Sequence, residues 1–91
     1  MHTHSTRLTF HLPHAASLKD KRQIRRSLID KTRSRFNASI AEVDTQDLHQ
    51  TLTLGIAVVS NTATHAEQSL DEIIRFLEAH TEAELVAVEP F

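Results

Sequence analysis

The order of strand-like and helix-like segments is the feature that most restricts how this chain can fold. Apolar and polar residues alternate in some segments, as in strands with one buried face, and recur with a 3.6-residue period in others, as in amphipathic helices. The segments are, in chain order, 7–12 (strand), 18–34 (helix), 36–44 (strand), 51–59 (strand), 64–80 (helix) and 85–88 (strand). The succession is therefore β-α-β-β-α-β.

This succession leaves few arrangements, because crossover connections are right-handed and the second and third strands are close enough to form a hairpin. The commonest is the ferredoxin-like βαββαβ sandwich of the α+β class, a four-stranded antiparallel sheet with two helices on one face. We predict the strand order 4-1-3-2. The 91 residues suffice for a single domain with a modest core. We expect residues 1–6 to form a flexible tail.

Two sequence signals predict where the helices begin. Ser17 is followed three positions later by Asp20, and Thr64 is followed three positions later by Glu67. A hydroxyl side chain with an acid three residues on is typical of a capping box at a helix N-terminus. We therefore predict helix starts next to Ser17 and Thr64.

The net charge of −2 conceals a strong segregation of charge along the chain. Residues 17–35 hold eight of the ten lysines and arginines and only two acids, a local balance of +6. Residues 42–91 hold ten acids and one arginine, a balance of −9. Such asymmetry favours a polyanion-binding surface on an otherwise acidic body.

The basic segment coincides with the first helix, where cations recur at about one-turn spacing. That spacing suits successive phosphates of RNA. The two central strands offer a single aromatic residue, Phe10, which we assign to the core, so base stacking of the kind seen on RRM sheets is not expected. We hypothesise that the helix binds structured RNA. The candidate RNA-binding residues are Lys19, Lys21, Arg22, Arg25, Arg26, Arg33, Asn37 and Ser39.

The basic helix has two alternative roles that involve no RNA. Its cations could pair with acids of the second helix or of another protein, which would make the domain a protein-interaction module or a homodimer with no nucleic-acid role. They could also form a solvated face. The acids concerned in the second helix are Glu67, Asp71 and Glu78. Exposure of Arg22, Arg26 and Arg33 would favour RNA binding, and pairing would oppose it.

No motif for catalysis or cofactor binding is present. The absence of cysteine excludes disulfides, thiolate zinc sites and cysteine nucleophiles, and there is no Gly-rich phosphate loop or HExxH motif. We therefore expect a protein that is not an enzyme and holds no cofactor. No apolar run is long enough to span a membrane and no secretory signal is evident, so we expect a cytoplasmic location.

One acidic segment could imitate an oxygen-rich metal site, because Glu42, Asp44 and Asp47 lie close together with His49 nearby. Glu42 and Asp44 are expected to share a strand face, but nothing fixes the convergence of the other two. An acidic hairpin is the simpler interpretation, and we predict no metal site.

Three segments resemble the YlxP-like bacterial proteins, a domain family of unknown function. They are Ser17–Arg22, Arg35–Asp44 with Gln46–Leu48, and Gly55–Asn61. The resemblance implies a ferredoxin-like fold and no established catalytic residue. Genes of this family often lie among those for translation initiation and ribosome maturation, which implies ribosomal RNA or a ribosomal particle as partner. The family's signature positions are Lys19, Lys21, Arg22, Asn37, Ser39 and the acids Glu42, Asp44 and Asp47.

Overall fold

The computed structural model describes residues 1–91 and contains a four-stranded antiparallel sheet with two helices. The elements are β1 (His2–His11), α1 (Leu18–Arg35), β2 (Ser39–Glu42), β3 (Thr51–Ser60), α2 (Ala63–Ala79) and β4 (Glu84–Pro90). The strands are ordered β2-β3-β1-β4, which is the predicted order counted from the opposite edge. The ferredoxin-like fold is confirmed.

β1 is longer than the alternation of apolar residues indicates. It pairs with β3 along its whole length, from His2 opposite Ser60 to His11 opposite Thr51. The residues expected to form a flexible tail therefore belong to a strand, apart from Met1. The alternation signal fails there because the segment 2–6 is polar on both faces, while backbone pairing with β3 needs no particular side chain.

The core lies between the helices and one face of the sheet, and the two helices contribute to it unequally. α2 buries four apolar side chains, whereas α1 buries one, Leu28, together with Lys21 and Thr32. The remaining core residues come mainly from the central strands β1 and β3, as their alternation predicts. The apolar core residues are Leu8, Phe10, Leu12, Ala15, Leu28, Ile40, Leu52, Leu54, Ile56, Val58, Ala66, Leu70, Ile73 and Leu77. Ile24 and Ile29 of α1 are partly buried and pack against the edge of this core, so both apolar and polar contacts position the helix.

The predicted start of α1 is confirmed. Ser17 caps the helix: its Oγ accepts a hydrogen bond from the Asp20 backbone N–H at 3.2 Å. Asp20 accepts in turn from the backbone N–H of Ala16 at 2.9 Å. The arrangement is a variant of the capping box, because the acid accepts from the residue before the cap instead of from the cap itself.

The predicted start of α2 is wrong by two residues. Thr62, not Thr64, is the cap, and its Oγ1 accepts from the backbone N–H of His65 at 3.1 Å. His65 also hydrogen-bonds through Nδ1 to Ser60 Oγ at 2.8 Å. The chain therefore enters α2 directly from β3, and the Thr64–Glu67 pair lies within the first turns. Neither α1 nor α2 is both long and apolar enough to cross a membrane.

Candidate nucleic-acid interface

The basic residues of α1 fall into two sets with different surroundings. Lys21 and Arg25 are one helical turn apart and face Glu42 at the end of β2. Arg22 and Arg26 have the same spacing but are rotated by about 100° around the helix axis, and they lie exposed. Cations at the same spacing are thus paired with an acid on one side of the helix and unpaired on another.

Lys21 and Arg25 both form ion pairs with Glu42, and the ammonium group of Lys21 is fully hydrogen-bonded. Lys21 Nζ lies 2.7 Å from Glu42 Oε2, and the two side chains are only 2% and 4% exposed. The ammonium also donates to the backbone carbonyls of Thr45 and Thr51, so all three of its hydrogens have acceptors. Arg25 Nη1 donates to the other Glu42 oxygen at 2.9 Å. This cluster ties α1 to both strands of the β2–β3 hairpin.

Two opposing effects act on the pKa of Glu42. Burial by itself raises the pKa, but the hydrogen bonds from Lys21 and Arg25 and the positive charges of these two residues together lower it by more, and the net pKa lies below the ordinary value. The carboxylate is therefore ionised at neutral pH and already occupied by two cations. Its role here is to hold α1 against the hairpin.

This arrangement corrects the hypothesis for two of the candidate RNA-binding residues. Lys21 is enclosed, with 1% of its surface exposed, and is not accessible to an RNA phosphate. Arg25 is partly exposed, but its guanidinium is engaged by Glu42. A sequence signal for Lys21 existed, since it lies three residues before Ile24 and seven before Leu28, on the apolar arc of the helix, where a charge needs a partner.

Lys19, Arg22 and Arg26 make up what we term the exposed basic face of α1. All three are exposed, and none forms an ion pair within the chain. None of the four ion pairs joins α1 to α2, so the hypothesis that the acids of α2 neutralise the basic helix within this chain is wrong. At the end of α1 the Phe36 ring instead packs edge-on against the Phe76 ring of α2, with 5.3 Å between the ring centres, and the Arg35 guanidinium lies 5.2 Å from the Phe76 ring centre.

Of the remaining candidate residues, Arg33 lies on the same side of α1 as Arg26, two turns further along, whereas Asn37 and Ser39 lie beyond the end of the helix. Arg33 is exposed, but its Nη2 donates to the Ile40 carbonyl at 3.1 Å, at the free edge of β2. Asn37 is exposed in the connection between α1 and β2. Ser39 stands opposite Ala57 on the sheet face away from the helices, so it does not join the surface of α1.

The acids of the β2–β3 connection do not converge. Glu42 faces α1, whereas Asp44 binds Arg7 on the opposite face of the sheet, contrary to the expectation that they share a face. The reason is local: β2 ends at Glu42, and Asp44 adopts a left-handed conformation with φ of 66°. Asp47 is exposed in the connection. No three His, Asp or Glu side chains come together in a metal-binding arrangement.

Arg7 is the centre of a second charged cluster, on the sheet face away from the helices. Its Nε and Nη2 donate to the two carboxylate oxygens of Glu89 at 3.3 and 3.1 Å, and Nη1 donates to Asp44. The Phe91 ring lies 4.8 Å from the guanidinium carbon. The hydrogen bonds to Glu89 and Asp44 raise the pKa of Arg7 above its ordinary value, which is already high. The cluster was not predicted, because Glu89 is 82 residues away in the chain.

Comparison with known proteins agrees with the sequence resemblance. A family model described as a protein of unknown function, DUF503, matches residues 4–90. The chain belongs to the DUF503 family. The Uncharacterized protein YlxP of Bacillus subtilis strain 168 is 34% identical over 70 residues, which cover 77% of this chain and 76% of that protein. The predicted YlxP-like membership is confirmed.

The structure of this DUF503 protein gives a physical role to several of the signature positions. Lys21, from the first signature segment, and Glu42, from the second, meet in the buried ion pair. Asp44 holds Arg7 on the other side of the sheet. Lys19 and Arg22 share the first segment with Lys21 yet have no partner. Stability therefore explains part of the signature, and these two cations are left without a structural role.

Proposed function

We propose that this DUF503 protein is a non-enzymatic accessory domain that binds structured RNA through the exposed basic face of α1. The observation that supports the proposal is the division of the helix: Lys21 and Arg25 are engaged by Glu42, while the exposed basic face keeps its charges unpaired. A helix rises 1.5 Å per residue, so Lys19 and Arg26 lie about 10 Å apart along the axis, a span suited to neighbouring phosphates.

Binding of this kind is electrostatic and depends on salt. Each phosphate that is neutralised releases counterions, and three contacts to duplex RNA would weaken binding about sixfold for each doubling of the salt concentration. The proposed partner is ribosomal RNA or a ribosomal particle, which the gene neighbourhood of YlxP-like proteins supports.

The double charge-reversal variant with Arg22→Glu and Arg26→Glu tests the proposal directly. We expect this variant to lose binding to an RNA hairpin while its circular dichroism spectrum and melting temperature stay close to those of the wild-type protein. Both side chains are exposed and unpaired, so the fold does not depend on them. Unchanged RNA affinity in the folded variant would refute the proposal.

A matched pair of variants separates a local effect from a change in net charge. Arg22→Gln with Arg26→Gln takes the net charge from −2 to −4, and so does Arg75→Glu on the exposed surface of α2. We expect the first to weaken RNA binding about tenfold or more and the second to change it less than about twofold. Equal effects would mean that binding reports only net charge.

Co-sedimentation with ribosomal particles on gradients at low and high salt tests the biological partner. Salt-sensitive association with one subunit or precursor particle would support the link to translation. Absence from every particle at low salt would oppose it and favour the second candidate function, in which the exposed basic face meets an acidic protein surface or a second copy of the chain.

A further inference from the structure

A cleft lies beside the exposed basic face, between α1, the β1–α1 connection and the α2–β4 connection. Its volume of about 380 Å³ lies within the range of small-molecule sites. The floor is apolar and consists of Leu12, Ala15 and Leu28, each at most 2% exposed. The polar groups around it are His14, Gln23, Ser27, His80, Thr81 and Glu82.

The cleft and the exposed basic face share a border on the surface of α1. Gln23, which lines the cleft, is four residues after Lys19 and three residues before Arg26. Residues at these spacings are neighbours on a helix surface. Ser27, one turn after Gln23, also lines the cleft. An RNA strand whose phosphates contact the exposed basic face would therefore hold its neighbouring nucleotides over the cleft.

The polar groups of the cleft are suited to a planar ring with a polar edge. The Gln23 amide can donate and accept hydrogen bonds, and so can the Ser27 hydroxyl; neither is bound within the chain. His80 packs on Phe76 with ring centres 4.1 Å apart. Its Nδ1 donates a hydrogen bond to the Phe76 carbonyl at 2.8 Å, which fixes the orientation of the ring at the rim of the cleft.

We propose that this cleft takes up one unpaired nucleobase of an RNA whose phosphates lie on the exposed basic face, an inference that rests on the proposed function. The apolar floor would contact the base, and Gln23 and Ser27 would bind its edge. The Glu82 carboxylate only accepts hydrogen bonds. Guanine offers it two adjacent donors, N1–H and the 2-amino group, whereas uracil offers one, N3–H, between two carbonyl oxygens, so guanine is favoured over uracil. A base inside a duplex cannot enter, because it is stacked and its edge is paired.

The test uses two RNA hairpins of about twelve base pairs whose strands are joined by a non-nucleotide linker, so that no loop base is present; one is fully paired and the other has a single unpaired guanosine in the stem. We expect the wild-type protein to bind the second about tenfold more tightly in fluorescence anisotropy at about 0.1 M ionic strength. Ser27→Phe fills the cleft from an exposed position and should remove the preference, leaving affinity for the paired hairpin unchanged. Gln23→Ala should reduce the preference without adding bulk.

The outcomes distinguish the two proposals. Equal affinity for the two hairpins, or an undiminished preference in both Ser27→Phe and Gln23→Ala, overturns the nucleobase site and leaves the proposed function standing. Failure of the wild-type protein to bind either hairpin overturns both. Replacing the unpaired guanosine by uridine should lower the affinity of the wild-type protein. In Glu82→Gln the affinities for the guanosine and the uridine hairpin should differ less, since an amide can also donate to a uracil carbonyl.

Discussion

Lys21 and Arg22 are neighbours in the chain and carry the same charge, yet their surroundings are opposite. Lys21 is enclosed by Glu42 and two backbone carbonyls, whereas Arg22 lies exposed with no partner. The same contrast holds one turn later between Arg25, which binds Glu42, and the exposed Arg26. The role of a cation on this helix is therefore set by its angle around the axis relative to β2.

The buried cluster joins α1 to the β2–β3 hairpin through charged groups. A buried ion pair adds little net stability compared with well-packed apolar residues, because both charges lose their hydration. Removing one partner is costly, since the other charge is left buried and uncompensated. We infer that the pair of Lys21 and Glu42 mainly determines where α1 lies on the hairpin, and this leaves the opposite face of the helix free.

The largest effect is expected from breaking this pair. Lys21→Met should lower the free energy of unfolding by about 3 kcal/mol, because Glu42 loses its main counterion inside the protein. The control is Arg22→Met, expected to change stability by less than about 0.5 kcal/mol. Urea denaturation measures both, and similar losses in the two variants would contradict the distinction between the sets.

The pH dependence of stability follows from the pKa of Glu42. Hydrogen bonds from Lys21 and Arg25 keep this pKa below its ordinary value of 4.5 in the folded protein. The resulting stabilisation is fully present above the unfolded-state pKa and is lost as the pH falls through the folded-state pKa. We expect the difference in melting temperature between the wild-type protein and Glu42→Gln to shrink on acidification below about pH 5. A constant difference would argue against this.

The smallest effect concerns Arg25 and Arg26. Arg25→Ala should cost about 0.5–1 kcal/mol of stability, because its side chain is 30% exposed and only partly desolvated, and should leave RNA affinity nearly unchanged. Arg26→Ala should weaken RNA binding and hardly affect stability. Urea denaturation measures the stability of both variants, and anisotropy titration measures their RNA affinity. A loss of RNA affinity in Arg25→Ala, or a loss of stability in Arg26→Ala, would contradict the assignment of Arg25 to the paired side of the helix and of Arg26 to the exposed basic face.

Part of the candidate interface was predictable from local patterns. The helical period places Arg22 and Arg26 on an outer stripe and Leu28 in the core, and both assignments agree with the structure. The same period places Lys21 with the apolar residues, yet nothing local names Glu42 as its partner. The position of Ser39 was not predictable from its closeness to α1 in the chain, because alternate residues of a strand face opposite sides of the sheet.

The sequence by itself determined the order of the elements, the fold class, the Ser17 cap, the side of β1 that enters the core and the concentration of positive charge on one helix. Each of these depends on residues within a few positions of one another, where periodicity and capping act. Only the tertiary structure decided which cations are free, which face of the sheet each acid occupies, and that a cleft borders the exposed basic face. Those depend on groups that are distant in the chain, such as Arg7 and Glu89, and only folding brings them together.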